Sequence, residues 1–139
     1  MEIFIIVIII VILTVIYINN YRYKQTQLMI ARLYQISNNI CEACHIHVDY
    51  QICESGYLTF TDKSDDTIHI VLWNSRTNKL FDQNTLVYAL LHEIAHLVSP
   101  SSNHEPPFDI LEGVLLNKAR ELGYYEPQQK IDDNYITVG

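Results

Sequence analysis

The chain has 139 residues and a formal net charge of −7, with nine Lys and Arg that form no run. That length allows one domain beside an anchor, and an acidic chain without a basic stretch argues against nucleic-acid recognition through phosphate neutralisation. Three cysteines, Cys41, Cys44 and Cys53, are an odd number that argues against a complete disulfide framework and fits a reducing compartment.

Residues 3–18 are apolar apart from Thr14, whose hydroxyl can bond to its own helix. Sixteen helical residues span only about 24 Å, short of a hydrocarbon core of about 30 Å. The flank makes up the difference, because Tyr17, Tyr21 and Tyr23 suit the headgroup layer and Arg22 and Lys24 can snorkel out of it. Glu2 precedes the run and no cleavage-like site follows, so the segment reads as an uncleaved anchor rather than a signal peptide. A buried core helix is the alternative. We therefore expect residues 1–24 to be a transmembrane anchor and its flank, with the bilayer touching residues 3–23. Arg22, Lys24 and Arg32 lie C-terminal to the run, so the positive-inside tendency puts residues 25–139 in the cytoplasm as one domain of a single-pass protein.

Residues 25–40 carry Leu28, Ile30, Leu33, Ile36 and Ile40 at helical spacing, predicting a helix that continues the anchor or pivots near Asn19 and Asn20. Short strands are expected over 45–50, 57–60 and 67–73, with a turn at Lys63–Asp66. Asp82 to Asn84 offers an N-cap for a helix running through Ser99. Pro107 can open a last helix with an apolar stripe of Leu111, Val114, Leu115, Ala119 and Leu122, and Gly123 can cap it. The expected class is α+β, an N-terminal membrane helix followed by a short three-stranded sheet around a central helix.

That central helix carries His92-Glu93-Ile94-Ala95-His96, an H-E-x-x-H match. Histidines one turn apart project from one face and can reach one metal ion, while the intervening glutamate can approach the activated water without being a ligand. Placing such residues among Leu, Ile and Val is otherwise costly, although a polar face meeting solvent is the plain alternative. A catalytic zinc needs a third protein ligand. His104 is the first choice, Glu112 on the next helix the second, and Glu105 and Asp109 weaker ones. The metzincin pattern needs glycine at 99 and histidine at 102, and both positions are serine.

Residues 67–125 resemble the minimal zincin-type metallopeptidases of the SprT-like and WLM group, in which an HExxH helix and a short loop lead to a histidine heading an H-G-x-x-F-like segment. Here that segment is His104-Glu105-Pro106-Pro107-Phe108, with Glu105 where glycine is usual. The resemblance implies a zincin-like domain, zinc held by His92, His96 and His104, Glu93 as general base, and the strand at 67–72 as the edge on which an extended peptide pairs. Members with DNA-linked roles carry basic segments that this chain lacks. Tyr124 or Tyr125 could donate to an oxyanion, although packing suits both better.

Cys41-Glu42-Ala43-Cys44-His45 spells C-x-x-C-H. Haem attachment requires an oxidising compartment, and no methionine follows that could be an axial ligand. A structural zinc would need Cys41, Cys44, His45 or His47, and Cys53; small buried thiols are the simpler reading. The sequence thus predicts a membrane-anchored zinc peptidase acting on a protein or peptide near the membrane. Its competitors are a catalytically silent, zinc-stabilised tethered module and a redox or metal-handling protein centred on Cys41 and Cys44.

Overall fold

In the computed structural model, which describes residues 1–101 and 103–135, the apolar run and the helix after it are one uninterrupted element, α1 (Glu2–Ala43). Forty-two residues make about 63 Å of helix. Neither Asn19 nor Asn20 interrupts it, since one asparagine pair costs far less than breaking a ladder of this length. Thr14 Oγ1 does donate to the Ile10 carbonyl, at 2.8 Å. The helix is long and apolar enough to cross a membrane, with an 18-residue window of mean hydropathy 2.8 and no residue of that window buried.

Burial starts at Thr26 and recurs at Leu33, Ile36, Ser37, Ile40 and Cys41, a helical stripe that makes the second half of α1 part of the domain core. Ser37 satisfies its buried hydroxyl on the Leu33 carbonyl (2.8 Å). The helix closes where His45 takes a left-handed φ of 56° and the Ile46 N–H reaches back to the Cys41 carbonyl (2.9 Å).

The sheet is built from β1 (Gln51–Glu54), β2 (Phe60–Asp62) and β3 (Thr67–Ile70), in the order β1-β3-β2, with β1 parallel and β2 antiparallel to β3. Residues 45–50 therefore form no strand, a correction to their alternating pattern. The register Gln51↔Thr67 and Ile52↔Ile68 brings the buried Ile52 alongside the fully buried Ile68, and residues before 51 have no partner on β3. The second strand likewise begins at Phe60 rather than 57. β3 is the central strand and not an edge; β1 and β2 are the edges.

A small hairpin follows, β4 (Trp73–Asn74) paired with β5 (Lys79–Leu80). Asn74 Oδ1 accepts the Arg76 N–H (2.9 Å) and Asn78 adopts φ 55°, so side-chain turn chemistry rather than hydrophobic alternation closes it.

The central helix α2 (Gln83–Val98) is capped by Asp82, whose carboxylate accepts from the Thr85 N–H (2.9 Å) and hydroxyl (2.8 Å). Leu86, Val87, Leu90, Leu91, Ile94 and Ala95 are fully buried against α1, β2, β3 and the last helix, α3 (Pro106–Glu121). α3 buries Phe108, Leu115 and Ala119 and packs half-buried Leu111 against the core, while Val114 and Leu122 of the expected stripe are 47% and 45% exposed. Phe108, the bulkiest apolar side chain on the helix, sets the inward face, and positions 115 and 119 follow it. Gly123 (φ 79°) closes α3, with the Tyr124 N–H on the Ala119 carbonyl (2.8 Å).

Residues 124–135 then staple the start of α2. Asn84 donates to the Glu126 and Gln129 carbonyls (3.2 and 3.3 Å) and accepts from the Glu126 N–H (2.6 Å), and Tyr135 meets Thr59 Oγ1 at 2.7 Å.

Candidate metal centre

One turn of α2 and the loop before α3 bring three histidines to one point. His92 and His96 are each 7% exposed, one turn apart on α2, and His104 approaches from the loop before α3. The ring centroids form a nearly equilateral triangle: 4.8 Å between 92 and 96, 5.0 Å between 92 and 104, and 5.0 Å between 96 and 104. One ring nitrogen from each lies within 4.8 Å of the other two, and the Nε2 atoms of His96 and His104 are 3.1 Å apart. His104 is exposed, so the cluster is closed on the protein side and open on another.

Phe108 is the floor. Its ring lies parallel to His104 at 4.5 Å and 4.4 Å from the His96 ring, with His92 edge-on at 5.2 Å. Sequence reading counted this aromatic only as part of a segment pattern, whereas its packing fixes where all three imidazoles stand. Pro106 and Pro107 start the helix with preset backbone angles and aim Phe108 inward, beneath His104.

Glu112 is in the centre too, in a different place from a ligand. Its Oε1 accepts from His92 Nδ1 at 2.6 Å, leaving the other ring nitrogen of His92 to face the cluster. Imidazole ligands are commonly held this way by a carboxylate, which fixes tautomer and ring orientation. Glu105 and Asp109, the weaker candidates, are exposed at the start of α3 and belong to no converging group among the described residues. Ser102, one of the two serines that break the metzincin spacing, lies outside the described residues.

Glu93 points elsewhere from the imidazoles' own bonds. It is 1% exposed, and Thr61 Oγ1 on β2 donates to its Oε2 (2.7 Å) and lies 3.0 Å from its carbonyl. Oε1 is buried with no hydrogen-bond partner among the described residues. Burial pushes the Glu93 carboxyl above the usual carboxylate range, opposed by the Thr61 hydrogen bond and the nearby His92. A buried carboxylate with a spare oxygen is costly to a fold and useful to a site. Thr61 was not foreseeable from spacing, because only the antiparallel pairing of β2 brings it to α2.

Tyr88, one turn before His92, was also missed, although the spacing of four residues was there to read. Its ring lies 6.4 Å from that of His92 and 6.3 Å from that of Tyr125. Burial, and next the Glu112 carboxylate, push both phenols above their ordinary range, so both remain donors at neutral pH. Tyr124 is engaged otherwise, its hydroxyl accepting from Asn39 Nδ2 on α1 (2.8 Å).

The donor set suits a divalent zinc ion: three imidazole nitrogens, two from one helix and one from the loop before α3, a hydrogen-bonded carboxylate behind one of them, and an open side. The orphaned buried oxygen of Glu93 beside them fits the same reading.

The cysteine motif gives no second centre. Among the described residues the three histidines are the group that converges, and Cys41, Cys44, His45, His47 and Cys53 do not. All three thiols are free. Burial pushes the Cys41 thiol up to about 11, with Cys44 adding to it, so at pH 8 only on the order of one molecule in a thousand carries the thiolate. Alkylation of the native chain followed by mass spectrometry is expected to modify exposed Cys53 first and to leave Cys41 untouched until the protein unfolds. Labelling of Cys41 as fast as Cys53 would restore the redox reading.

No protein-family model matches the chain, and no solved structure matches it. It is 32% identical over 71 residues to uncharacterized protein 042R of Invertebrate iridescent virus 3, covering 51% of this chain and 45% of that protein. It is 34% identical over 55 residues to uncharacterized protein 136R of Invertebrate iridescent virus 6, covering 40% of this chain and 31% of that protein. A third likeness, 27% over 73 residues, is to uncharacterized protein R325 of Acanthamoeba polyphaga mimivirus, covering 52% and 37%. The chain spans less than half the length of these curated relatives, and it is similar to proteins of large viruses of invertebrates and amoebae.

Proposed function

We propose that the chain is a membrane-anchored, zinc-dependent peptidase of minimal zincin type, resembling the SprT-like and WLM group. The observation that carries this is the convergence of His92, His96 and His104 on one point, with the buried and half-satisfied carboxylate of Glu93 on the next residue of the same helix. Bound at the three histidines, zinc would polarise a scissile carbonyl and bring the pKa of water toward about 7. Glu93 takes a proton at its unpartnered Oε1 and returns it to the leaving amine, while Thr61 holds Oε2 and keeps the carboxyl from rotating. Glu112 holds the His92 ring through Nδ1. Tyr88 and Tyr125 are protonated hydroxyls at the margin of the centre, and of the two tyrosines suggested by the sequence Tyr125 is the better oxyanion donor.

The substrate is a protein segment in extended form. β3 has both sides paired, so the strand available for such a segment is β2, the edge beside α2 whose own Thr61 binds the general base. A pairing there would set peptide register and base position with one element. The anchor, α1, restricts the reach to protein segments close to the bilayer, on the cytoplasmic side by the positions of Arg22, Lys24 and Arg32.

The test is hydrolysis of a mixed peptide library by the detergent-solubilised full chain, read by mass spectrometry. Cleavage is expected to stop with a chelator and return when zinc is restored. Undiminished cleavage in chelator, or none with zinc at one equivalent, rules the reading out.

A further inference from the structure

The charges of this chain are segregated in a way that its net charge hides. Residues 3–41 and 67–81 contain Arg22, Lys24, Arg32, Arg76 and Lys79 and no Asp or Glu. Every acidic residue lies elsewhere, together with the other four cations. The two acid-free segments meet in space. The Arg22 guanidinium lies over the Trp73 ring at 4.7 Å and its Nη1 donates to Asn78 Oδ1 at 3.4 Å, while Trp73 Nε1 donates to Thr26 Oγ1 at 2.9 Å. The β4–β5 hairpin is thus strapped to α1 one helical turn closer to the apolar run than Thr26, the first residue the domain buries. Residues 75–79 at its tip are all exposed, Arg76 and Lys79 among them.

The position matters because α1 is unbroken. Arg22 follows Ile18, the last residue of the apolar run, by four residues or about 6 Å of helix, and a headgroup layer is about 5–7 Å deep. Asn78 at the hairpin tip, bonded to Arg22, is held at the depth of that layer when the helix spans a bilayer. Asp133 is the acidic residue that shares a surface depression with Arg76, and it is already paired with Lys130 at 2.7 Å.

We propose that the β4–β5 hairpin, through Arg76 and Lys79 together with Arg22 and Lys24, is a docking surface for anionic lipid headgroups. It would hold the domain at one height and one rotation about its anchor, since a single helix fixes the first but leaves the second free. Juxtamembrane Lys and Arg are drawn to an anionic surface and lose that attraction within a Debye length of it. This rests on α1 spanning the bilayer, and the experiment separates the two ideas.

Trp73 is the chain's single tryptophan, so energy transfer from it reports on lipids around the hairpin without labelling the protein. The full chain is reconstituted in phosphatidylcholine vesicles containing phosphatidylserine, with dansyl on an acyl chain of one lipid or the other so that the headgroups are unchanged. Transfer to labelled phosphatidylserine is expected to exceed transfer to labelled phosphatidylcholine by about twofold or more, and the excess to vanish in the R76E/K79E chain, whose altered side chains are on the exposed tip. Equal transfer to both lipids while the chain floats with the vesicles overturns the docking surface and leaves the anchor standing. An excess that survives R76E/K79E overturns the assignment to the hairpin. A chain that does not float with the vesicles defeats the anchor, and the docking surface with it.

Discussion

Glu93→Gln is expected to lower peptide hydrolysis by about 10²–10⁴-fold while zinc binding and the fold are kept. The amide is isosteric, so Thr61 Oγ1 can still donate to the oxygen it holds at 2.7 Å, and neither His92 nor His96 loses a packing neighbour. What disappears is the proton acceptor. Stability is expected to hold or rise in the metal-free chain at neutral pH. Burial raises the carboxyl's pKa, so the folded state binds that proton more tightly than the unfolded state does. Whatever this contributes is present at low pH and is lost as pH climbs through the raised pKa, leaving a buried charge with Oε1 unpartnered. A neutral side chain removes that penalty, although its amide hydrogens need an acceptor of their own. Zinc content by mass spectrometry, Tm and cleavage rate, measured on one preparation, give the three readouts. Full activity in the glutamine chain with zinc retained would remove Glu93 from the mechanism. Zinc retained with no hydrolysis in either chain would favour the silent, zinc-stabilised module.

Helical information was local and therefore legible. Asp82 caps α2, proline opens α3, Gly123 closes it, and HExxH spacing suffices to bring two imidazoles to one side of α2. Strand information was not local. Residues 45–50 alternate as 67–70 do, though less β-branched, but only the latter lie in the sheet, because ladder partners decide and they are set by residues far along the chain. The same non-locality hid Thr61 and the Asn84 staple, and it reversed which strand is an edge. Around the histidines, spacing identified candidates without ranking their roles. Glu112 and His104 were both plausible third ligands, and the difference between them is where α3 sits, with Phe108 buried under His104 and Glu112 one turn further on behind His92. The hairpin and its basic tip carried no sequence signal beyond Asn74 and Asn78, whose turn chemistry is easily read as loop.

That division of roles predicts two different losses. His104→Ala removes one of three converging nitrogens and leaves a pair from one helix, too few to hold a catalytic zinc. Glu112→Ala leaves all three nitrogens but removes the acceptor 2.6 Å from His92 Nδ1, which sets the ring's tautomer, and loss of such a partner costs about 10–100-fold in metal affinity or activity. Zinc titration of both variants against a competing chelator is therefore expected to show Glu112→Ala weakened within that range and Glu112→Gln, which can still accept from Nδ1, weakened less. His104→Ala is expected to fall well below both. Its folding is not at stake to the same degree, because His104 is exposed and Phe108 beneath it is anchored by its own burial on α3. The reverse order, with His104→Ala holding zinc and Glu112→Ala losing it, would make Glu112 the third ligand and require the start of α3 to move toward the cluster when metal binds. Comparing Glu112→Ala with Glu112→Gln separates a lost ligand from a lost hydrogen bond, since an amide can replace the carboxylate as an acceptor far better than as a zinc ligand.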